Sequence, residues 1–591
     1  MLSNRVQPLP DYSFDVANTP AVNARRHTIA IDAAITASIW VIVLWGVGAQ
    51  WWTGMNAPDS QFSASLAIFG DQVNQRALEP SYYWTRLGYL GPVHWLTEHF
   101  GIWAGFAIWR ALLLLLIVAS VYWVARQFSS RALATALTLF ISLNTMVLAY
   151  VGNPYATGTA MAASLVLFAL AIAHMRTGLQ VKGSRAWLLG GATGGVLAWL
   201  LMLNPYNALL AGCTWLGIRI IGGWLARPGL RAILTEFAAL VAGFMLVFLG
   251  FLAWGALVFP GRNWLETYRS WNSRLDYSSF ISDPNIWMHD LAALVVLLGF
   301  LVALIAFIFV RNRWSTTALV ISSTTIVFTL LYMQVIPGPW IEAPHYAAMC
   351  WPGALLSIVL AIGAISSGRQ ASALLWIAVP VLVVAMVWAG HSSALLSMSQ
   401  GLVLVLACAA LMAITTVARG WSIQALAWTL VIATVIVVGV SAQLLQNGRG
   451  NLGIYSQYPM NAAYVDYQAE ELMQANIEAQ KYLLAHTSAD DRIAIWTDPA
   501  RLTATVAAMQ LWGAYNNAPG GSELDLADQR ALRDLNPSVI ALYAPTREQI
   551  DQYFASIPAW FTPSPLKCTS VPYLGIGSPD AHMCLTHIQV R

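Results

Sequence analysis

The sequence predicts an α-helical polytopic membrane protein of about thirteen transmembrane helices, followed by a small extracytoplasmic α/β domain. Three observations predict it. Apolar residues of the AVILMFWYC set make up 58% of the 591 residues and charged residues only 10%. A soluble globular chain carries about 25% charged residues, so this chain cannot clothe a water-facing surface. Apolar stretches of about 20 residues, the length that crosses a bilayer core, recur along the first three quarters of the chain. After residue 446 the pattern changes to 14 acids and 9 bases with no stretch long enough to span. The domains are therefore read as 1–445, in the membrane, and 446–591, outside it.

The predicted spans run at 29–50, 103–125, 132–151, 155–175, 186–203, 206–225, 235–259, 289–310, 315–336, 347–366, 371–390, 400–418 and 423–445. The first is not read as a cleaved leader, because no small-residue cleavage site precedes Trp51 and Trp52. Loop charges set the orientation. One set of loops carries Arg126, Arg131, Arg176, Lys182, Arg185, Arg219, Arg227, Arg231, Arg311, Arg313, Arg369 and Arg419, and the N-terminal tail adds Arg5, Arg25 and Arg26. The alternate loops carry Asp59, Asp71, Glu79, Glu98, Glu266, Asp276, Asp283, Asp290 and Glu342. The positive-inside rule puts the basic set in the cytoplasm, so the N-terminus lies inside and the C-terminus outside. The 27 Trp and 21 Tyr fit a chain with many headgroup-level positions.

Three outer loops stand out: 51–102 (with interfacial helices), 260–288 and 337–346. Two shorter outer turns repeat one tripeptide, Asn153-Pro154-Tyr155 and Asn204-Pro205-Tyr206. They read as helix starts, with Asn as cap and Pro in the first turn, or as tyrosines lining an outward cavity.

In the outer domain, Glu470 to His486 has helical periodicity. Arg492 to Trp496 and Ser538 to Tyr543 read as buried strands. Thr546 to Phe554 reads as a helix capped by Thr546, with Glu548 in its first turn. Cys568 and Cys584 flank a Gly/Pro-rich turn at 574–580. Two thiols on the oxidising side of a membrane predict one disulfide.

Composition and motif exclude several functions. A net charge of +3 points to no nucleic-acid partner. The chain has no Walker loop, GxSxG, HExxH or CxxC. The chemistry concentrates in the first outer loop, where Asp59, Asp71 and Glu79 precede Ser81-Tyr82-Tyr83-Trp84-Thr85-Arg86. A carboxylate just outside a span can take a proton from an acceptor hydroxyl. Tyr, Trp and Arg beside it can hold a sugar and a phosphate. The same residues also suit an amphipathic helix lying on the interface. Arg110, inside or near a span, calls for a function or a partner, or snorkels outward.

A first span, an acid early in a long outer loop and then an aromatic-basic stretch resembles the GT-C membrane glycosyltransferases. More narrowly it is similar to the protein O-mannosyltransferase and lipid A aminoarabinose transferase type. Many relatives show paired acids after the first span, whereas Asp59 is followed by Ser60. The resemblance implies inverting transfer of a sugar from a polyprenyl-phosphate donor to an acceptor hydroxyl or phosphate on a lipid, glycan or protein. It implies a bacterial plasma membrane location and Asp59 as general base. Tyr82, Tyr83, Arg86, Arg262, Arg269, Arg274, Glu342, His345 and Tyr346 would face the donor phosphate and sugar. A divalent metal is not expected to be obligatory, because a single acid forms no metal cage. Competing readings are a lipid-linked sugar flippase or transporter and an O-antigen-ligase-like enzyme.

Overall fold

The computed structural model describes residues 22–47, 57–74, 82–129, 131–142, 145–177, 184–226, 230–274, 291–331, 349–366, 469–488, 490–497, 513–517, 533, 536–544, 546–575 and 578–590. Ten of the predicted spans fall on described helices. Those at 371–390, 400–418 and 423–445, the 337–346 loop and the domain boundary at 446 lie outside the described residues. Among the described residues four helices are long and apolar enough to cross a membrane by length and composition: Ile102–Arg126, Ala156–Met175, Ala186–Leu203 and Leu230–Val258. The architecture is that of a multi-pass membrane protein.

The chain opens with α1 (Val22–Val47), then α2 (Ala57–Phe69) and the short α3 (Asp71–Asn74). A 3-10 turn at Tyr82–Thr85 leads into α4 (Leu87–Phe100), which Gly101, at φ 84°, separates from α5 (Ile102–Arg126). The predicted span 132–151 is two helices, α6 (Arg131–Ser142) and α7 (Thr145–Gly152). Next come α8 (Ala156–Thr177), α9 (Ser184–Leu203), α10 (Pro205–Ala226), α11 (Leu230–Val258) and α12 (Trp264–Arg274). Three further apolar helices follow: α13 (Leu291–Val310), α14 (Arg313–Leu330) and α15 (Trp351–Ser366). Asn312 caps α14, its side chain accepting from the N–H groups of Trp314 and Ser315.

Packing follows side-chain size. Among lipid-like surroundings helices associate through close backbone approach, which small residues allow. Helix α9 carries Gly190 and Gly194 four residues apart, and α11 lies directly against them. A Cβ on Gly194 would fall on the Leu240 carbonyl, and one on Gly243 on the Gly191 carbonyl. The opposite side of α11 is exposed and apolar, with Phe237, Leu246 and Leu257 at 63%, 76% and 81% exposure. That is the surface a bilayer would cover.

Charge inside the helical body is paired. Asp32 of α1 accepts from Arg131 Nε at 2.8 Å, Arg126 Nε at 3.4 Å and the Tyr122 hydroxyl at 3.2 Å. One carboxylate thus pins α1, α5 and α6. Glu236 of α11 pairs with Arg219 of α10 and with His174 Nδ1 of α8 at 2.9 Å.

Toward the C-terminus, α16 (Ala469–His486) precedes a mixed sheet. Its strands are β1 (Ile493–Thr497), β2 (Gly513–Asn517), β3 (Val539–Ala544), β4 (Phe561–Pro563), β5 (Lys567–Gly575) and β6 (Ser578–Val590). Helix α17 (Arg547–Ala555) follows β3, with Thr546 Oγ1 accepting from the Gln549 N–H as its cap. The order is β2-β1-β3-β6-β4, with β5 also on β6. The β1–β2 and β1–β3 pairs are parallel and the rest antiparallel. Alternate residues face opposite sides. Ile493, Ile495, Val539 and Ala541 share one continuous core with Ile477 and Leu483 of α16 and with the helical body. Ala494, Trp496, Ile540 and Leu542 form a second core with Ile550 of α17. Cys568 and Cys584 are directly paired across β5 and β6 and form the predicted disulfide. The predicted helices and strands here agree with those observed. Strand β2 was not predicted, because Gly-Ala-Tyr-Asn-Asn carries no apolar alternation.

Candidate functional site

The site is built around Arg86, which ends the 3-10 turn and stands at the start of α4. Its backbone N–H donates to the Tyr83 carbonyl at 3.1 Å, and its own carbonyl accepts from Tyr89 and Leu90. The side chain is only 7% exposed. Its Nη1 donates to the Leu203 carbonyl at 2.9 Å, and its guanidinium carbon lies 4.9 Å from the Tyr155 ring centroid. Arg86 therefore bridges the two Asn-Pro-Tyr turns: Leu203 immediately precedes the second, and Tyr155 ends the first. Close packing holds it there. A Cβ on Gly88 would meet the Trp199 side chain at 2.9 Å, and Trp199 Nε1 donates to the Gly88 carbonyl at 2.8 Å.

The segment that follows α11 closes on the same turn. Trp264 Nε1 of α12 donates to the Thr85 carbonyl at 2.7 Å, one residue before Arg86. The Trp84 ring lies 5.8 Å from Phe259, and Trp264 stacks on Tyr268 at 5.5 Å. The loops around 82–86 and 259–264, which the sequence reading treated as joint contributors, are thus in direct contact. Trp264 was missed because an aromatic in an outer loop reads as an interfacial anchor.

The predicted residues are placed as follows. Asp59 lies in the first turn of α2, the helix whose Phe62 ring sits 5.5 Å from Tyr83. Tyr82 and Tyr83 are in the 3-10 turn, Tyr83 being half-buried. Asp71 begins α3, half-buried. Arg262 is half-buried, its backbone N–H donating to Phe259, while Arg269 is exposed on α12 and Arg274 ends that helix. Glu79, Glu342, His345 and Tyr346 lie outside the described residues.

Arg110 does not snorkel outward. It is buried at 3% exposure within α5. Burial pushes the Tyr89 phenol above its ordinary value, and the Arg110 charge opposes that rise. Farther along α4, from Gly91 onward, lies an apolar recess of about 500 Å³. It is lined by Gly91, Trp95 and Leu96 of α4, Trp109 and Leu112 of α5, and Phe251 and Trp254 of α11. A buried cation at the start of α4 and an apolar recess farther along the same helix suit an anion attached to a hydrocarbon chain. Among the described residues no three His, Cys, Asp or Glu side chains cluster closely enough to hold a metal.

No family model and no curated protein matches the chain by sequence. The archaeal oligosaccharyltransferase AglB from Archaeoglobus fulgidus, in complex with an inhibitory peptide and a dolichol-phosphate, aligns at a TM-score of 0.44 and 10% identity, over 88% of this chain and 70% of that one. ArnT from Cupriavidus metallidurans in the apo state aligns at 0.50 and 13% identity, over 95% of this chain and 98% of that one. ArnT bound to undecaprenyl phosphate aligns at 0.52, with the same identity and coverage. The likeness to ArnT spans nearly the whole of both chains, and with it this protein has the GT-C fold of the membrane glycosyltransferases.

Proposed function

We propose that the chain is an integral-membrane inverting glycosyltransferase that moves a sugar from a polyprenyl-phosphate donor to an acceptor hydroxyl or phosphate. The reaction would take place on the outer face of a bacterial plasma membrane, with the N-terminus cytoplasmic and the 446–591 domain outside. The observation that carries this reading is Arg86: a cation 7% exposed, held between the two Asn-Pro-Tyr turns at the start of α4, the helix that farther along lines an apolar recess. A fold like that of ArnT, a protein seen with undecaprenyl phosphate, supports it.

The chemistry requires a base, a cation and a lipid groove. Asp59 takes the proton from the acceptor hydroxyl as that oxygen attacks the anomeric carbon. The bond from that carbon to the phosphate oxygen breaks, and its electron pair leaves with the phosphate. Arg86 neutralises the departing charge, aided by Arg262, Arg269 and Arg274. Tyr82 and Tyr83 flank the sugar, and Glu342, His345 and Tyr346 close the donor side. The isoprenoid chain starts in the recess beside Trp95 and Trp254. The partners are then the polyprenyl-phosphate sugar, a lipid, glycan or protein acceptor, and membrane lipids. A divalent metal is not required.

The test is transfer from an undecaprenyl-phosphate-linked sugar by purified protein and by Asp59→Asn, Asp71→Asn and Glu79→Gln. Losing a general base costs about 10²–10⁴-fold in rate. Loss confined to Asp71→Asn or Glu79→Gln moves the base to that residue, and full turnover by all three removes carboxylate catalysis from this loop. Mass spectrometry of glycolipids and envelope glycans in a deletion strain identifies the sugar and its acceptor. An unchanged profile there refutes the transferase reading.

A further inference from the structure

The two Asn-Pro-Tyr turns share a sequence and differ in what their asparagines do. Asn204 behaves as a helix cap, its Oδ1 accepting from the Tyr206 N–H at 3.0 Å. Asn153 does not. Its backbone carbonyl accepts from the Tyr155 N–H at 2.7 Å, closing a tight turn. Its side-chain Oδ1 and Nδ2 are both buried, with no hydrogen-bond partner among the described residues, in a residue only 4% exposed. Thr157 Oγ1, in the first turn of α8, is in the same state at 6% exposure. Thr138, Thr193 and Thr214, buried within helices, return to the carbonyl four residues back, whereas Thr159 of α8 shares the unpartnered state of Thr157. For Thr157 the residue four back is Asn153, which lies outside the helix. An amide and a hydroxyl buried without partners are costly to hold. These two flank Tyr155, the ring on which Arg86 sits.

We infer that Asn153 and Thr157 form a subsite for the hydroxyl groups of a neutral donor sugar, beside the phosphate at Arg86. This rests on the reading of Arg86 as the donor-phosphate cation. The amide offers one acceptor and one donor at once. Adjacent sugar hydroxyls satisfy both, since each can give and receive. A phosphate carries acceptors only and would place an anion against Oδ1. An ammonium in place of one of those hydroxyls carries donors only and would leave Nδ2 without an acceptor. A hydrocarbon satisfies neither atom. The sugar selected is therefore uncharged, with two neighbouring free hydroxyls turned toward the start of α8.

The experiment is ligand titration of the full chain in nanodiscs, with thermal unfolding of each variant. The probes are undecaprenyl phosphate alone and undecaprenyl phosphate bearing glucose, mannose or 4-aminoarabinose. At least one neutral-sugar lipid binds wild type about tenfold more tightly than bare undecaprenyl phosphate, as expected for a buried hydrogen-bonded pair. Asn153→Leu erases that advantage and leaves the bare lipid within about twofold. Asn153→Asp, which adds an anion and removes a donor, shifts preference toward the amino sugar. The proposal is overturned if no neutral sugar improves on the bare lipid, if Asn153→Leu keeps the advantage, or if it weakens bare lipid and sugar lipid alike. If Arg86→Met leaves bare undecaprenyl phosphate binding intact, the donor reading itself fails, and that result is separate from the Asn153 outcomes.

Discussion

Replacing Arg86 with Met keeps the stem and removes the charge, which separates a structural pin from a phosphate cation. The stability side follows from the contacts. The bond from Nη1 to the Leu203 carbonyl is charge-assisted and buried, worth about 1.5–3 kcal/mol. The stack on Tyr155 adds about 0.5–2 kcal/mol. Against these stands the cost of keeping a guanidinium out of water, several kcal/mol for a buried ion, which the substitution removes. The terms nearly cancel, so the expected change in Tm is a few degrees in either direction. The chemical side does not cancel. A donor aimed at charge that develops only in the transition state is worth about 10²–10³-fold in kcat. Arg86→Met should therefore be folded and nearly inactive. Arg86→Lys keeps the charge without the planar fork and should fall between. The assay is turnover of an undecaprenyl-phosphate-linked sugar in detergent, with unfolding followed on the same samples. Full turnover by Arg86→Met refutes the placement of the phosphate. A large fall in Tm with activity lost only in proportion to unfolded protein makes Arg86 a pin.

Other outcomes follow from contacts remote from the chemistry. Gly194→Val drives a side chain into the Leu240 carbonyl and should cost several kcal/mol, read as lost yield of folded protein; wild-type yield would deny the close α9–α11 approach. Reducing or replacing the Cys568–Cys584 pair should cost about 3 kcal/mol in the chain-entropy account. Alkylation of both thiols without reductant would show the bond absent. Gln480 Nε2 donates to Ser65 Oγ at 2.6 Å, joining α16 to the helix that carries Asp59. A Gln480→Ala and Ser65→Ala double-mutant cycle should return about 0.5–1.5 kcal/mol of coupling, and additivity would deny the contact. Burial acts to raise the Asp491 carboxyl, but bonds from the Ser488 N–H, Ser488 Oγ and Ser538 Oγ outweigh it and hold it below the usual carboxylate range. A lowered folded value means its stabilisation is present above about pH 4 and fades as pH falls through that lowered value. Asp491→Asn should flatten the acid limb of unfolding below about pH 4; an unaltered limb refutes the linkage.

Periodicity and composition were enough to foresee the helical body, because bilayer thickness acts on residue type alone. The same holds for Thr546 capping α17 and for the buried strands β1 and β3, whose signals are local. Arg86 stood out in sequence because a cation among aromatics is conspicuous in a chain with 10% charged residues. Its partners were not legible: Leu203 lies 117 residues away. Asp32 likewise meets Arg126 and Arg131 from 94 and 99 residues off. Edge strand β2 pairs in register with β1 through backbone groups, so its side chains carry no pattern to read. The Asn-Pro-Tyr turns show the division most clearly. Identical tripeptides have identical local propensities, yet Asn204 caps its helix and Asn153 buries an amide beside the Arg86–Tyr155 stack. Propensity acts over a few residues, whereas the neighbours that decide which hydrogen bonds a side chain makes arrive only when distant helices pack.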